Sequence, residues 1–127
     1  MKLTFAVLVL AAGLAGNAHA RNPGESAQNC VHAESGRDGD IKLTNTCREQ
    51  IFVMWCGDQK YTKKRCGDGP RGGFYTHSDN IDPGGETTAH VRDGGSFKYG
   101  ACKGSISFGN DGEYKDGPNG QYRCLPR

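Results

Sequence analysis

An all-β fold, a small antiparallel β-sandwich or barrel-like domain stapled by disulfides, is predicted by three observations. Short runs of alternating apolar residues recur between turn signals, and no stretch beyond residue 20 sustains a helical period. Six cysteines, Cys30, Cys47, Cys56, Cys66, Cys102 and Cys124, all follow an N-terminal segment with the features of an export signal.

Residues 1–20 have the three parts of a secretory signal, expected to be helical and cleaved after Ala20. Lys2 supplies the positive start, residues 3–14 are apolar apart from Thr4 and Gly13, and Ala18-His19-Ala20 matches the small-x-small cleavage pattern. The alternative is an uncleaved anchor, but the apolar run is shorter than the ~20 residues a membrane span needs. Arg21 rather than a cysteine follows the cleavage point, which argues against a lipid anchor. The expected destination is the periplasm or the cell exterior, where cysteines pair. Residues 21–29, with Pro23, Gly24 and few apolar side chains, are expected to be a flexible lead-in, and residues 30–127 a single domain.

The strands are expected in the following order. Ile41 and Leu43 alternate with Lys42 and Thr44, as on a half-buried strand. Residues 51–56, Ile-Phe-Val-Met-Trp-Cys, are apolar on both faces, which predicts a central strand covered on each side. Residues 57–73 are polar and loop-like, residues 74–77 suit a short strand, and Asp82-Pro83-Gly84-Gly85 is a turn signal. Residues 86–92 and 96–102, joined by Asp93-Gly94-Gly95, have the signature of a hairpin, with Thr87, Ala89, Val91, Phe97, Tyr99 and Ala101 facing inward. Ile106 and Phe108 share one side of residues 105–108, residues 109–120 carry turn chemistry, and residues 121–124 close the domain. Proximity along the chain favours the pairs Cys56–Cys66 and Cys102–Cys124, leaving Cys30–Cys47 by elimination. Each bridge is expected to contribute about 2–4 kcal/mol, offsetting the folding entropy of a glycine-rich chain.

The formal charge of the whole chain is +2, and one unit leaves with Lys2. So small a balance gives no global reason to expect nucleic acid or an anionic membrane as partner. Local charge is more informative. Lys60, Tyr61, Lys63, Lys64 and Arg65, with Arg71 beyond Cys66, gather cations and an aromatic on a segment expected to be closed by a disulfide. Such a loop suits phosphates or an acidic protein surface, although Asp58 and Asp68 flank it and a solvated loop is the plain alternative.

Glu86, His90 and Arg92 alternate along one strand and put a carboxylate, an imidazole and a guanidinium on one face, the trio that small secreted ribonucleases use. Any half-buried strand shows the same polar alternation on its wet side. No metal or other cofactor is expected. His32, His77 and His90 lack ligand spacing, and the tract Asn110, Asp111, Glu113, Asp116, Asn119 lacks the calcium-loop pattern. Trp55, the only tryptophan, is expected to be a core anchor packed against a disulfide, while Tyr61, Phe74, Tyr75 and Tyr114 are candidates for exposed contacts.

The leading expectation is therefore an exported, non-enzymatic binding protein, of the inhibitor or immunity type, directed at another secreted protein. A small secreted hydrolase such as a nuclease using Glu86, His90 and Arg92 is one alternative. A carbohydrate- or cell-envelope-binding module using the aromatic turns is the other.

Overall fold

The computed structural model describes residues 22–127, so the expected signal segment lies outside the described residues. Eight strands account for the regular structure: β1 (Val31–Ser35), β2 (Ile41–Asn45), β3 (Ile51–Gly57), β4 (His77–Ile81), β5 (Glu86–Ala89), β6 (Phe97–Lys103), β7 (Tyr114–Asp116) and β8 (Tyr122–Cys124). They form a β1-β2-β5 sheet, a β4-β3-β6 sheet and a β7-β8 ribbon, and every pairing is antiparallel. The protein is all-β, as its alternation predicts, and no helix among the described residues is long and apolar enough to cross a membrane.

The central strand is β3, which is buried throughout. Because successive side chains on a strand point to opposite faces, its two apolar sets fill two cores. Ile51, Val53 and Trp55 join Leu43, Ala89 and Ala101 between the two larger sheets. Phe52, Met54 and Cys56 join Tyr75, Cys102, Ile106 and Tyr114 on the other face, beneath the β7-β8 ribbon. Trp55 is thus a core residue, but on the face opposite Cys56, so the neighbouring disulfide is not what it packs against.

Three disulfides join Cys30 to Cys47, Cys56 to Cys66 and Cys102 to Cys124, with Cα separations of 5.2, 5.1 and 5.7 Å. These are the pairs favoured by proximity, and they suit an oxidising compartment.

Four expectations are corrected. The Asp93-Gly94-Gly95 turn forms, with the Gly95 N–H donating to the Arg92 carbonyl at 2.8 Å, but its flanks do not pair. β5 pairs with β2 and β6 with β3, so the turn carries the chain from one sheet to the other. The strand expected at 74–77 begins instead at His77, because Asp116 Oδ2 accepts the N–H groups of Phe74 and Tyr75 at 2.8 and 3.2 Å and holds them out of the ladder. The tract 109–120 contains β7 as well as turns. Finally, residues 22–29 pack on the domain: Ala27 is fully buried, its N–H donates to the Ala101 carbonyl at 2.9 Å, and the Asn22 carbonyl accepts the Arg127 N–H at 2.9 Å.

Candidate functional site

The basic segment owes its position to a corner at Gly57. Here φ is +145°, and a Cβ on this residue would lie 2.2 Å from the Ser96 carbonyl oxygen, so only glycine fits. Past the corner the chain leaves β3 and runs antiparallel to residues 90–92. The Lys60 N–H donates to the His90 carbonyl at 2.8 Å, and the Arg92 N–H to the Asp58 carbonyl at 2.9 Å. The Cys56–Cys66 bridge then closes the loop at its base.

Two ion pairs fasten the loop further. Lys60 Nζ lies 2.8 Å from Asp40 Oδ1, while Asp40 Oδ2 faces His90 Nδ1 at 3.3 Å. The hydrogen bond from Lys60, then that from His90, holds the Asp40 carboxyl below the usual aspartate value, and the same Asp40 bond raises Lys60 above its own. The Arg65 guanidinium bonds Asp58, whose second oxygen accepts the Ser96 N–H at 3.1 Å. Asp58 is held low as well, first by that backbone N–H and less by Arg65. Within the loop, Thr62 Oγ1 accepts the Lys64 N–H at 3.1 Å and Asp68 Oδ2 the Arg65 N–H at 2.8 Å.

With Lys60 and Arg65 so engaged, Tyr61, Lys63 and Lys64 remain as the outward-facing groups. Tyr61 is 79% exposed, its ring tilted against His90 at 5.3 Å between centroids. Lys63 and Lys64 make no ion pair among the described residues.

Beneath the loop lie two adjoining clefts that share Gln59 and Thr62. One, of about 300 Å³, is lined by Lys63, Lys64, Arg65 and Arg92 above Asp58. The other, of about 210 Å³, is lined by Trp55, Tyr61, His77, Thr88 and His90. The His77 ring stacks on Trp55 at 6.0 Å, and its Nδ1 lies 3.2 Å from Gln59 Nε2 and 2.8 Å from Thr76 Oγ1. Burial, with a smaller effect of Lys64, pushes the His77 pKa below that of a free histidine, so the ring is neutral at pH 7. An Nδ1 that accepts from the Gln59 amide leaves the ring proton on Nε2.

Comparison of the chain with protein-family models, curated proteins and solved structures finds no match.

The site must therefore be read from its own geometry, which does not unite every residue the sequence singles out. Glu86 reaches toward Lys42 at 4.0 Å, His90 toward Asp40, and Arg92 Nε donates to the Gln59 carbonyl at 3.2 Å. At the strand rise of about 3.3 Å per residue, the Glu86 and His90 backbones stand ~13 Å apart, so the row does not converge on one atom. Arg71 sits at a separate cleft with Asp111 and Lys115, its guanidinium 3.9 Å from Asp111. Of the aromatics considered for exposed contacts, Tyr75 and Tyr114 are buried and Phe74 is half-buried. Their turn-rich surroundings are themselves packed under the β7-β8 ribbon.

The oxygen-rich tract is occupied by protein donors. Glu113 Oε1 accepts from Asn110 Nδ2 at 2.8 Å, and Asn110 Oδ1 accepts the Gly112 N–H at 2.9 Å. Among the described residues, no three of His, Cys, Asp and Glu gather in metal-binding fashion. Sequence reasoning did not place Asp40, His77 or Thr88 with the basic loop, whereas Gln59 and Thr62 belong to that segment itself.

Proposed function

We propose that the protein is exported behind a cleaved signal at residues 1–20 and works outside the cytoplasm as a β-sandwich binding module of the inhibitor or immunity type. Its contact surface is the 58–65 loop, and its partner is an acidic patch on another secreted protein. The observation that carries this reading is Tyr61, exposed beside two lysines that make no ion pair among the described residues, on a loop fastened by a disulfide and two ion pairs. A loop already ordered loses little entropy on binding, and tyrosine is among the side chains most often dominant in protein contacts. The lysines steer an acidic partner into register, an effect that salt weakens.

A photoreactive phenylalanine analogue in place of Tyr61, carried by the oxidised protein into the secreted fraction of its own cells, tests the reading. One discrete adduct with an acidic protein is expected, lost in Lys63→Ser/Lys64→Ser without a change in melting temperature. An adduct of equal yield in that double variant, or none at all, overturns it.

A further inference from the structure

We infer that the two clefts beside residues 59–62 form one binding site for an acidic saccharide, with the sugar ring in the Trp55–His77 lobe and its carboxylate or sulfate in the Lys63–Arg92 lobe. The inference goes beyond the protein contact and does not require it.

The lobes adjoin at Gln59 and Thr62, which line both, and together they reach the several hundred Å³ usual for small-ligand sites. Their chemistry differs. In the first, Lys63, Lys64, Arg65 and Arg92 face a single carboxylate, Asp58, which is already taken by Arg65 and Ser96. Arg92 uses Nε on the Gln59 carbonyl, and its terminal nitrogens bond nothing among the described residues. A carboxylate or sulfate offers the paired oxygens that a guanidinium fork and neighbouring ammonium groups bind best.

The second lobe has no lysine, arginine or carboxylate in its lining and is rich in groups that suit hydroxyls. His77 is fixed through Nδ1 by Gln59 and Thr76, and His90 through Nδ1 by Asp40, so each ring keeps Nε2 for another partner. The Thr62 and Thr88 hydroxyls and the Tyr61 phenol both donate and accept, as sugar hydroxyls do. Trp55 lines this lobe as well; its indole N–H is buried and has no partner among the described residues.

Trp55 is only 6% exposed and stacks on His77, so the open aromatic face lining this lobe is that of Tyr61, which is 79% exposed. The C–H face of a pyranose packs on such a ring while its hydroxyls meet the histidine and threonine groups around it. A nucleobase stacked on the same ring carries no hydroxyls to match those groups.

Trp55 is the only tryptophan, so its fluorescence reports occupancy of this cleft directly. The oxidised protein is titrated with tetragalacturonate and a sulfated heparin disaccharide, and in parallel with neutral maltotetraose and with adenosine monophosphate. A saturable change with one or both acidic saccharides is expected, at least tenfold weaker affinity for maltotetraose, and a tenfold or greater loss in Thr88→Phe, which fills the sugar lobe from β5 while leaving the loop cations in place. Circular dichroism confirms that the variant is folded, and Thr88→Ser, which keeps the hydroxyl, is expected to retain binding if Thr88→Phe does not fold. Response to neither acidic saccharide, equal binding of maltotetraose, or tighter binding of the nucleotide overturns the inference. Full binding by a folded Thr88→Phe does so too. Saccharide binding without a Tyr61 adduct would remove the protein-contact reading alone, and an adduct without saccharide binding would remove this inference alone.

Discussion

Asn45 carries more of the fold than its chemistry alone suggests. Fully buried at the end of β2, it donates from Nδ2 to the carbonyls of Glu49 and Ile81 at 2.9 and 2.8 Å, while its Oδ1 accepts the Cys47 N–H at 2.8 Å. Its backbone meets Gly84 and Gly85 in the turn that enters β5. One amide thus ties the Cys47 turn, the end of β4 and the start of β5. Asn45→Ala would strand buried donors and acceptors at about 1–3 kcal/mol each, and we expect a loss of roughly 2–4 kcal/mol in urea unfolding. Asn45→Asp supplies the Cys47 acceptor but not the two donors, and is expected to recover little.

The Lys60–Asp40 pair sets a pH range for the loop. Asp40 titrates below its unfolded value of 3.8, so its contribution is complete above that value and is lost as pH falls through the lower, folded one. Lys60 titrates above 10.5, so its contribution holds below that value and is lost as pH rises through the higher, folded one. Amide exchange of Lys60, whose N–H bonds the His90 carbonyl, corrected for intrinsic rates, is therefore expected to show constant protection from the ion pair between pH 4 and 10 and to rise in Asp40→Asn across that range. His77 adds a dependence at higher pH than Asp40 does, in the same direction. Its lowered pKa means the unfolded chain binds the proton more readily, so stability declines as pH falls below 6.5.

At the level of elements, the Gly57 corner decides where the loop goes. Gly57→Ala meets both a positive φ and a clash with the Ser96 carbonyl, and we expect it to cost about 2–4 kcal/mol. Loss of the Trp55 fluorescence change before any loss of far-ultraviolet signal on titration with denaturant would show that the corner governs the site before the sheets. β3 was legible because six apolar residues in succession leave little choice but a doubly covered strand. β1 and β7 were not. Val31–Ser35 alternates only Val31 with a small, exposed Ala33, and Tyr114–Asp116 is too short to show a period, so partner strands define both. The turn signals identified places where the chain reverses, yet Asp93-Gly94-Gly95 shows that local turn geometry does not determine which strands pair. That depends on residues far away, here Leu43 opposite Thr87 and Val53 opposite Ala101. The cations of the site were legible for the converse reason, being contiguous. Its other walls come from Asp40, His77, Thr88 and His90, which only the packing of two sheets brings together.

Taken whole, the molecule is a layered β-structure in which every bridge joins consecutive cysteines: first to second, third to fourth, fifth to sixth. The loops they close span 17, 10 and 22 residues, with no bridge crossing another. This nesting-free order has a consequence for biogenesis. A chain threaded N-terminus first into an oxidising space presents each cysteine to its correct partner before the next pair arrives, so the order of emergence itself selects the native pairing. Reduced protein refolded all at once lacks that ordering and relies on loop closure, which favours short loops only slightly. If the chain is exported as proposed, directional delivery protects it from scrambled bridges, and native pairing should reach a higher yield on export than on bulk reoxidation, as mapping of the bridges in the two products would reveal.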